Sequence, residues 1–207
     1  MTDLLNRPHP DCPADCPGTA ERGVDRHEPG TGERLNRLRA AVLGANDGIV
    51  STAAVVVGVA GATSDATTIA MSGLAAVIGG AVSMALGEYV SVSSQRDSER
   101  AMGLAEEMQV NPWSAAIASF LSFLLGAALP FATALLAPAS WRIAAIFALT
   151  LVALALTGAL SAKLGEAPVA RSVARIVVGG TIALAATFAI GSLFGANVGE
   201  SHTAVQQ

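Results

Sequence analysis

Charged residues are scarce in this chain. Only 28 of its 207 residues are Asp, Glu, Lys or Arg, a share of 14%, whereas a typical soluble domain carries about 25%. Hydrophobic residues make up 52%, and 13 of the charges fall in residues 1–45. The rest of the chain is too apolar to bury its hydrophobic side chains in an aqueous fold of this size. We therefore expect a short polar tail joined to a membrane-embedded domain.

Other shortages exclude further classes of protein. Two cysteines are too few for a disulfide scaffold, and the high apolar content excludes disordered and collagen-like chains. A net charge of −4 offers no basic surface for nucleic acid. The sequence has no phosphate-binding loop, and no Ser/His/Asp or Cys/His arrangement lies within the apolar block. We expect no enzymatic activity, no nucleic-acid partner and no bound cofactor.

Residues 1–33 are predicted to form a disordered polar tail. The segment holds five of the nine prolines and shows no apolar period. Cys12 and Cys16 lie near His9 and His27, but their spacing is not the compact spacing of a zinc site, so free thiols are the favoured interpretation. Because the first apolar run begins only after this tail, we expect no signal peptide and expect that run to act as its own insertion signal.

Five apolar runs follow, each long enough to cross a bilayer. A hydrocarbon core about 30 Å thick needs roughly 20 helical residues, and runs of this length exclude strands. The predicted transmembrane helices cover residues 38–62, 68–90, 113–136, 143–162 and 172–195. They form an all-α membrane domain at residues 34–197, followed by a short C-terminal tail at 198–207.

Positively charged residues flanking the helices predict the orientation of the domain. If the N-terminus is cytosolic, only Arg142 lies outside. The inner face then collects Arg34, Arg37, Arg39, Arg96, Arg100, Lys163, Arg171 and Arg175. We therefore predict a cytosolic N-terminus and, because the number of helices is odd, a C-terminus outside.

Two ionisable residues are expected within the membrane, and Asp47 is the clearer case. If residues 46–48 formed a turn, roughly 15 apolar residues would remain for the first helix, too few for a span. The helix must therefore include Asp47, about 12 Å beyond Arg39 along its axis. A carboxylate at that depth costs about 2.5 to 3.5 kcal/mol to insert and by default marks an ion path or proton relay. The alternative is structural, a carboxylate tied to nearby backbone or to Asn46.

Glu88 is the second such residue, and it shares a helix face with Met84, four residues earlier, and with Ser91. Counted from the polar end of its helix, Glu88 lies about 12 Å deep, level with Asp47, and Met84 lies one turn deeper. Two carboxylates and a thioether would converge if the first two helices pack side by side. A thioether suits Fe²⁺ better than Mg²⁺ or Ca²⁺, although Met84 taken alone is more typical of a packing residue.

Small residues accompany these polar groups. Gly44 and Gly48 lie beside Asp47, and Gly87 lies on the second predicted helix. Small residues let helices approach closely in lipid, so we assign these three glycines to helix packing. Five helices with a single polar cluster provide few polar groups to line an ion path. Our hypothesis is a homodimer that places two copies of Asp47 and Met84 around one axis.

Three stretches of the sequence resemble the vacuolar iron transporter (VIT) family. They are Gly44-Ala45-Asn46-Asp47-Gly48-Ile49-Val50-Ser51, Ser83-Met84-Ala85-Leu86-Gly87-Glu88-Tyr89-Val90-Ser91-Val92-Ser93-Ser94-Gln95 and Asn111-Pro112-Trp113. The resemblance covers roughly residues 34–197. It implies a dimer of five-helix protomers that moves Fe²⁺ or Mn²⁺ out of the cytosol, in characterised members by exchange for protons. It also implies that Asp47 and Met84 line the ion path and that Glu88 belongs to the family's Gly-Glu-Tyr motif.

The connector between the second and third helices departs from the longer members of that family. Those members insert a cytosolic domain rich in Glu and Met, which gathers metal, whereas here residues 91–112 make the whole connection. This resembles the shorter, nodulin-like branch. Glu106, Glu107 and Met108 are weaker candidates for metal binding, and a solvated acidic helix surface is the favoured alternative.

These features favour a membrane exporter of divalent iron or manganese, with protons as counter-ions, acting in metal homeostasis or detoxification. Its expected partners are the lipid bilayer, the transported ion and a second copy of the chain. One alternative is a proton-coupled exporter of another small cation. Another is a non-transporting membrane scaffold in which Asp47 and Glu88 only fasten helices together. We expect a prokaryotic plasma membrane as the location, with a vacuole-type membrane as the alternative.

Overall fold

The computed structural model describes residues 31–106, 109–165 and 167–205. Over these ranges the long elements are all α-helices and no strand occurs. They are α1 (Thr31–Ala62), α2 (Ala66–Ala101), α3 (Pro112–Leu136), α4 (Arg142–Leu164) and α5 (Val169–Val205). All five are long and apolar enough to cross a membrane, which confirms the predicted all-α membrane fold. Most of the predicted tail, with Cys12 and Cys16, lies outside the described residues, as do Glu107 and Met108 of the connector.

Several helices run beyond their predicted membrane spans. α5 continues to Val205, into the segment predicted as a C-terminal tail, and α2 continues to Ala101. The last turns of α2 are polar but remain helical because side chains four residues apart support them. Gln95 Nε2, for example, donates to Glu99 Oε1 at 2.9 Å. Hydropathy therefore located the apolar part of each helix rather than its ends.

Capping side chains fix the starts of α2 and α3. The amide and hydroxyl of Thr68 donate to Asp65 Oδ2 at 2.7 and 2.6 Å. These hydrogen bonds lower the pKa of the Asp65 carboxyl below its ordinary value, and the bond from the hydroxyl has the largest effect. At α3, Asn111 Oδ1 accepts from the amide of Trp113 at 3.0 Å, and Pro112 occupies the first turn.

α1 lies at the centre of the bundle and contacts each of the other four helices. Its buried Val56 and Val57 belong to a cluster that also contains Ile69 of α2, Ile146 of α4 and Leu184 of α5. Lipid tails are as apolar as these side chains, so the helices are held by close van der Waals contact rather than by exclusion of water. α1 therefore contributes buried residues to the centre of the bundle, while other residues of the same helix, such as Leu43, remain exposed.

Glycines allow α1 to approach α3 closely. A Cβ added to Gly48 would collide with the carbonyl oxygen of Phe123, and one added to Gly44 would lie 2.5 Å from that of Ser119. Gly44 and Gly48 therefore do serve helix packing, but against α3 rather than α2. A Cβ added to Gly87 would meet no described atom within 4 Å. Gly87 faces a cavity rather than another helix of the described protomer, so its packing role stays a prediction.

Candidate metal pathway between α1 and α2

A cavity of about 500 Å³ lies between α1 and α2. Its lining includes the three side chains that the sequence assigned to an ion path, Asp47, Met84 and Glu88. Three hydroxyls add to the polar lining, those of Ser51, Ser83 and Ser91. The cavity therefore combines carboxylate, thioether and hydroxyl groups within an otherwise apolar bundle.

Each wall of the cavity is one stripe of a helix. On α1 the lining residues recur every four positions, at Arg39, Leu43, Asp47, Ser51 and Val55. On α2 the same spacing gives Ala76, Gly80, Met84 and Glu88. Residues four apart lie on one face of an α-helix. The short turn at residues 63–65 makes the two helices neighbours, so the two stripes face each other.

The carboxylate of Asp47 has no partner among the described residues. The backbone carbonyl of Asp47 accepts a hydrogen bond from Ser51 Oγ at 2.6 Å, but no described group donates to the carboxylate or pairs with it. The side chain is exposed on the protomer. Asn46 Oδ1 is buried and also lacks a partner within the described chain. The structure therefore gives no support to a structural role in which backbone or Asn46 holds Asp47.

Glu88 is held quite differently. Its side chain is only 5% exposed, and Glu88 Oε2 lies 3.1 Å from Arg39 Nη2, so the pair joins α2 to α1. Arg39 Nη2 also donates to Asn36 Oδ1 at 3.2 Å. From the sequence, Arg39 served only as a marker of orientation. The signal for a further role was its position eight residues before Asp47, which puts both on the same stripe of α1.

Met84 has two environments. It packs against a buried cluster formed by Ala81 of α2 with Phe123 and Ala127 of α3. It also lines the cavity that contains Asp47. Its thioether is therefore fixed by core packing while it borders the polar space, which is the arrangement that a ligand on a rigid element needs.

Comparison with known sequences decides the family. The sequence model of the VIT family matches residues 38–110 and 101–192. The chain belongs to the VIT family. This confirms the resemblance seen in the three sequence motifs. VIT proteins are transporters, so the chain is a membrane transporter and not an enzyme.

Curated plant proteins are similar over most of their length. Vacuolar iron transporter homolog 5 of Oryza sativa subsp. japonica is 46% identical over 173 residues, which cover 79% of this chain and 83% of that protein. Vacuolar iron transporter homolog 1 of Arabidopsis thaliana is 46% identical over 171 residues, covering 79% and 86%. VIT-like transporter 1b of Glycine max is 36% identical over 181 residues, covering 80% and 79%.

Two motifs of this VIT protein meet beside the cavity. The rings of Tyr89, which follows Glu88, and Trp113, at the start of α3, lie 4.8 Å apart between centroids and are tilted by 55°. This contact joins α2 to α3 next to the ion pair of Glu88. The Gly-Glu-Tyr and Asn-Pro-Trp motifs thus contribute a buried carboxylate, a helix cap and the aromatic pair that holds them together.

Polar side chains form a hydrogen bond and an ion pair within the connector between α2 and α3 of this VIT protein. Glu99 Oε2 accepts a hydrogen bond from the amide of Val110 at 2.9 Å. Glu106 is 79% exposed, and its Oε1 lies 3.6 Å from Arg96 Nη2. Across the residues described, no group of three or more His, Cys, Asp or Glu side chains is placed to hold a metal ion. Glu106 thus has the environment of a solvated acidic surface.

Proposed function

We propose that this membrane metal transporter exports Fe²⁺ or Mn²⁺ from the cytosol in exchange for protons. The observation that carries the proposal is the unpaired carboxylate of Asp47, which shares one cavity with the thioether of Met84. Carboxylate oxygens bind both ions, and a thioether favours the softer Fe²⁺. The names of the relatives, vacuolar iron transporter homologs, also favour iron.

Protons are the proposed counter-ions. A carboxylate cannot hold a metal ion and its own proton at the same time, so binding of one releases the other. No described cation competes for Asp47, which leaves metal and proton as the species that neutralise it. A proton arriving from the far side would release the ion there, and loss of that proton to the cytosol would prepare the site again. The metal is cargo in this cycle, and no resident cofactor is required.

A homodimer is part of this proposal. Asp47 is exposed on the protomer, and a carboxylate that faces hydrocarbon costs about 2.5 to 3.5 kcal/mol. Beside the cavity, α2 has open space at Gly79 and Gly87, where another helix can approach closely. A second protomer related by a two-fold axis would cover the cavity and add a second Asp47 and Met84.

Disulfide crosslinking tests the dimer. In a background without Cys12 and Cys16, we expect Gly79→Cys or Gly87→Cys to give a crosslinked dimer on mild oxidation in membranes. The matched control is Leu156→Cys, an exposed residue of α4 that the proposed interface excludes. Equal crosslinking at Leu156, or a purely monomeric protein in native mass spectrometry, would contradict the dimer.

Two different observations favour an orientation of the transporter and a membrane in which it resides. The positively charged residues at helix ends favour a cytosolic location for the end of the cavity that contains Arg39 and Glu88. The names of the relatives favour a vacuole-type membrane over the prokaryotic plasma membrane expected from the sequence. In a vacuole-type membrane, export from the cytosol would load the compartment with metal.

Replacing the thioether tests the metal preference. Met84→Leu removes the sulfur at nearly constant volume and preserves the packing against α3. We expect KM for Fe²⁺ to rise about tenfold, the smaller end of what losing a group near a metal costs, and KM for Mn²⁺ to rise less because Mn²⁺ is harder. Initial rates for each metal in proteoliposomes measure this.

Met71→Leu is the control for that experiment, because Met71 is exposed on the same helix and outside the cavity lining. Identical changes in KM for both metals in Met84→Leu would show that the sulfur is not a ligand. Transport of a third cation at higher kcat/KM than either metal would favour the alternative of an exporter for another small cation.

A further inference from the structure

At one end of the cavity, the carboxylate of Glu88 is already paired with the guanidinium of Arg39. Glu88 is buried, and its only ion-pair partner among the described residues is Arg39, at 3.1 Å. A guanidinium carries its positive charge at any physiological pH. The position that a transported cation would take beside Glu88 is therefore held by a cation that belongs to the protein.

Arg39 has both an alternative acceptor and room to move. Its side chain is 53% exposed, and it already donates to Asn36 Oδ1 at 3.2 Å. Arg39 also lines a second cavity of about 440 Å³, which lies against α1, α4 and α5 and includes Asn46 and Ser161 in its wall. The buried Asn46 Oδ1 lacks a hydrogen-bond partner in the described chain. A displaced guanidinium would keep Asn36 Oδ1 as an acceptor and has the unpartnered Asn46 Oδ1 beside the same cavity.

Building on the proposed transport function, we propose that Arg39 is a tethered competitor for Glu88 that admits divalent cations and excludes monovalent ones. At equal distance, a divalent ion interacts with a carboxylate twice as strongly as a monovalent ion does. Na⁺ or K⁺ has no advantage in charge over a guanidinium that also donates a charge-assisted hydrogen bond. A divalent ion does have that advantage. It displaces Arg39 and can then pass on to Asp47 and Met84.

Arg39 acts in this scheme as a positioning residue, because it sets the state of Glu88 and does not itself bind the cargo. Its removal leaves a buried carboxylate without a counter-charge. Such a carboxylate binds any small cation more readily, so affinity rises while discrimination by charge falls. The effect therefore appears in KM and in competition by Na⁺ rather than as a simple loss of rate.

The test compares wild-type protein with Arg39→Gln in proteoliposomes, using Mn²⁺ as the probe. Na⁺ is exchanged for choline at constant ionic strength, because surface charge is screened equally by both. We expect Arg39→Gln to lower KM for Mn²⁺ about tenfold and to make Na⁺ a competitive inhibitor, whereas wild type ignores Na⁺. Arg39→Lys keeps the charge and should exclude Na⁺ better than Arg39→Gln does.

Two further variants separate this role from a general effect of charge. Arg37→Gln removes the same charge from an exposed position two residues away, and we expect it to behave as wild type. In a Glu88→Gln background Arg39 has no carboxylate at position 88 to pair with. Adding Arg39→Gln there should change neither KM for Mn²⁺ nor sensitivity to Na⁺. An equal fall in KM in both backgrounds would overturn the inference.

Binding measured without transport keeps the two proposals distinct. Mn²⁺ binding to detergent-solubilised protein, followed by electron paramagnetic resonance, should be tighter and sensitive to Na⁺ in Arg39→Gln but not in wild type. Wild-type affinity and insensitivity to Na⁺ in that variant would overturn the role of Arg39 alone. Absence of flux by wild type would overturn the transport proposal, and the binding comparison would still decide the role of Arg39. If Arg39→Gln fails to fold, Arg39→Met, which also removes the charge, takes its place. Wild-type affinity for Mn²⁺ and no response to Na⁺ in that variant would contradict the inference.

Discussion

Asp47→Asn is expected to reduce Fe²⁺ flux to the level of protein-free vesicles while the protein still folds and assembles. Asn has nearly the shape of Asp, so the cavity is preserved. The carboxylate has no described partner whose loss would weaken the fold. The change removes the charge that attracts the ion and the group proposed to exchange it for a proton. Initial Fe²⁺ rates in proteoliposomes measure the loss of flux. The size-exclusion profile and thermal unfolding show whether the protein still assembles and folds.

A second Asp of the same chain provides the control. Asp65→Asn makes the same chemical change at the cap of α2, where Asn caps as well as Asp, and flux should be retained. Wild-type flux in Asp47→Asn would refute the proposed site. Loss of assembly together with flux would instead favour the alternative in which the carboxylates only fasten helices. For Asp47 that alternative is the weaker, since its carboxylate fastens nothing in the described protomer.

Gly48→Ala is expected to destabilise the protein by about 1 to 3 kcal/mol, the range typical of overpacking. Helix propensity alone would predict the opposite sign, because Ala is favoured over Gly by about 1 kcal/mol. The added Cβ would meet the carbonyl oxygen of Phe123 and lie 3.0 Å from the amide nitrogen of Ala127. These are backbone atoms, which cannot rotate away as a side chain does. α1 and α3 must therefore separate, and Asp47 would move with α1.

The matched control for Gly48 is Gly179→Ala on α5, where an added Cβ meets no described atom within 4 Å. Helix propensity then acts without a clash, so we expect no loss of stability and a gain of up to about 1 kcal/mol. Thermal unfolding of both variants in the same detergent makes the comparison. Equal unfolding temperatures for the two variants would show that the close contact between α1 and α3 is not a constraint.

Much of the candidate site was predictable because charges are so rare in the apolar block. A carboxylate inside a hydrophobic run stands out in the sequence, as Asp47 and Glu88 do. Helical spacing then placed Met84 on the face of Glu88, and the structure brings all three to one cavity. The same scarcity of charge made the number of helices and their type predictable from hydropathy alone.

The contacts between helices needed coordinates. A stripe of small residues shows that a helix is approached closely but does not name the neighbour, so the contact of Gly48 with α3 was missed. Likewise, a positive residue near a helix end predicts orientation. Which carboxylate Arg39 reaches depends on the register between α1 and α2, which sequence spacing on one helix does not fix. The ion pair of Arg39 and Glu88 was therefore found only in the structure.

Fe²⁺ uptake with simultaneous recording of lumenal pH is the most direct test of the proposed exchange. Purified wild-type protein is reconstituted into vesicles with an acidic lumen, and Fe²⁺ is added outside. We expect Fe²⁺ to accumulate and the lumenal pH to rise together, and neither to change in vesicles with Asp47→Asn. Fe²⁺ accumulation without a change in lumenal pH would contradict proton exchange. No accumulation above protein-free vesicles would contradict metal transport through the cavity between α1 and α2.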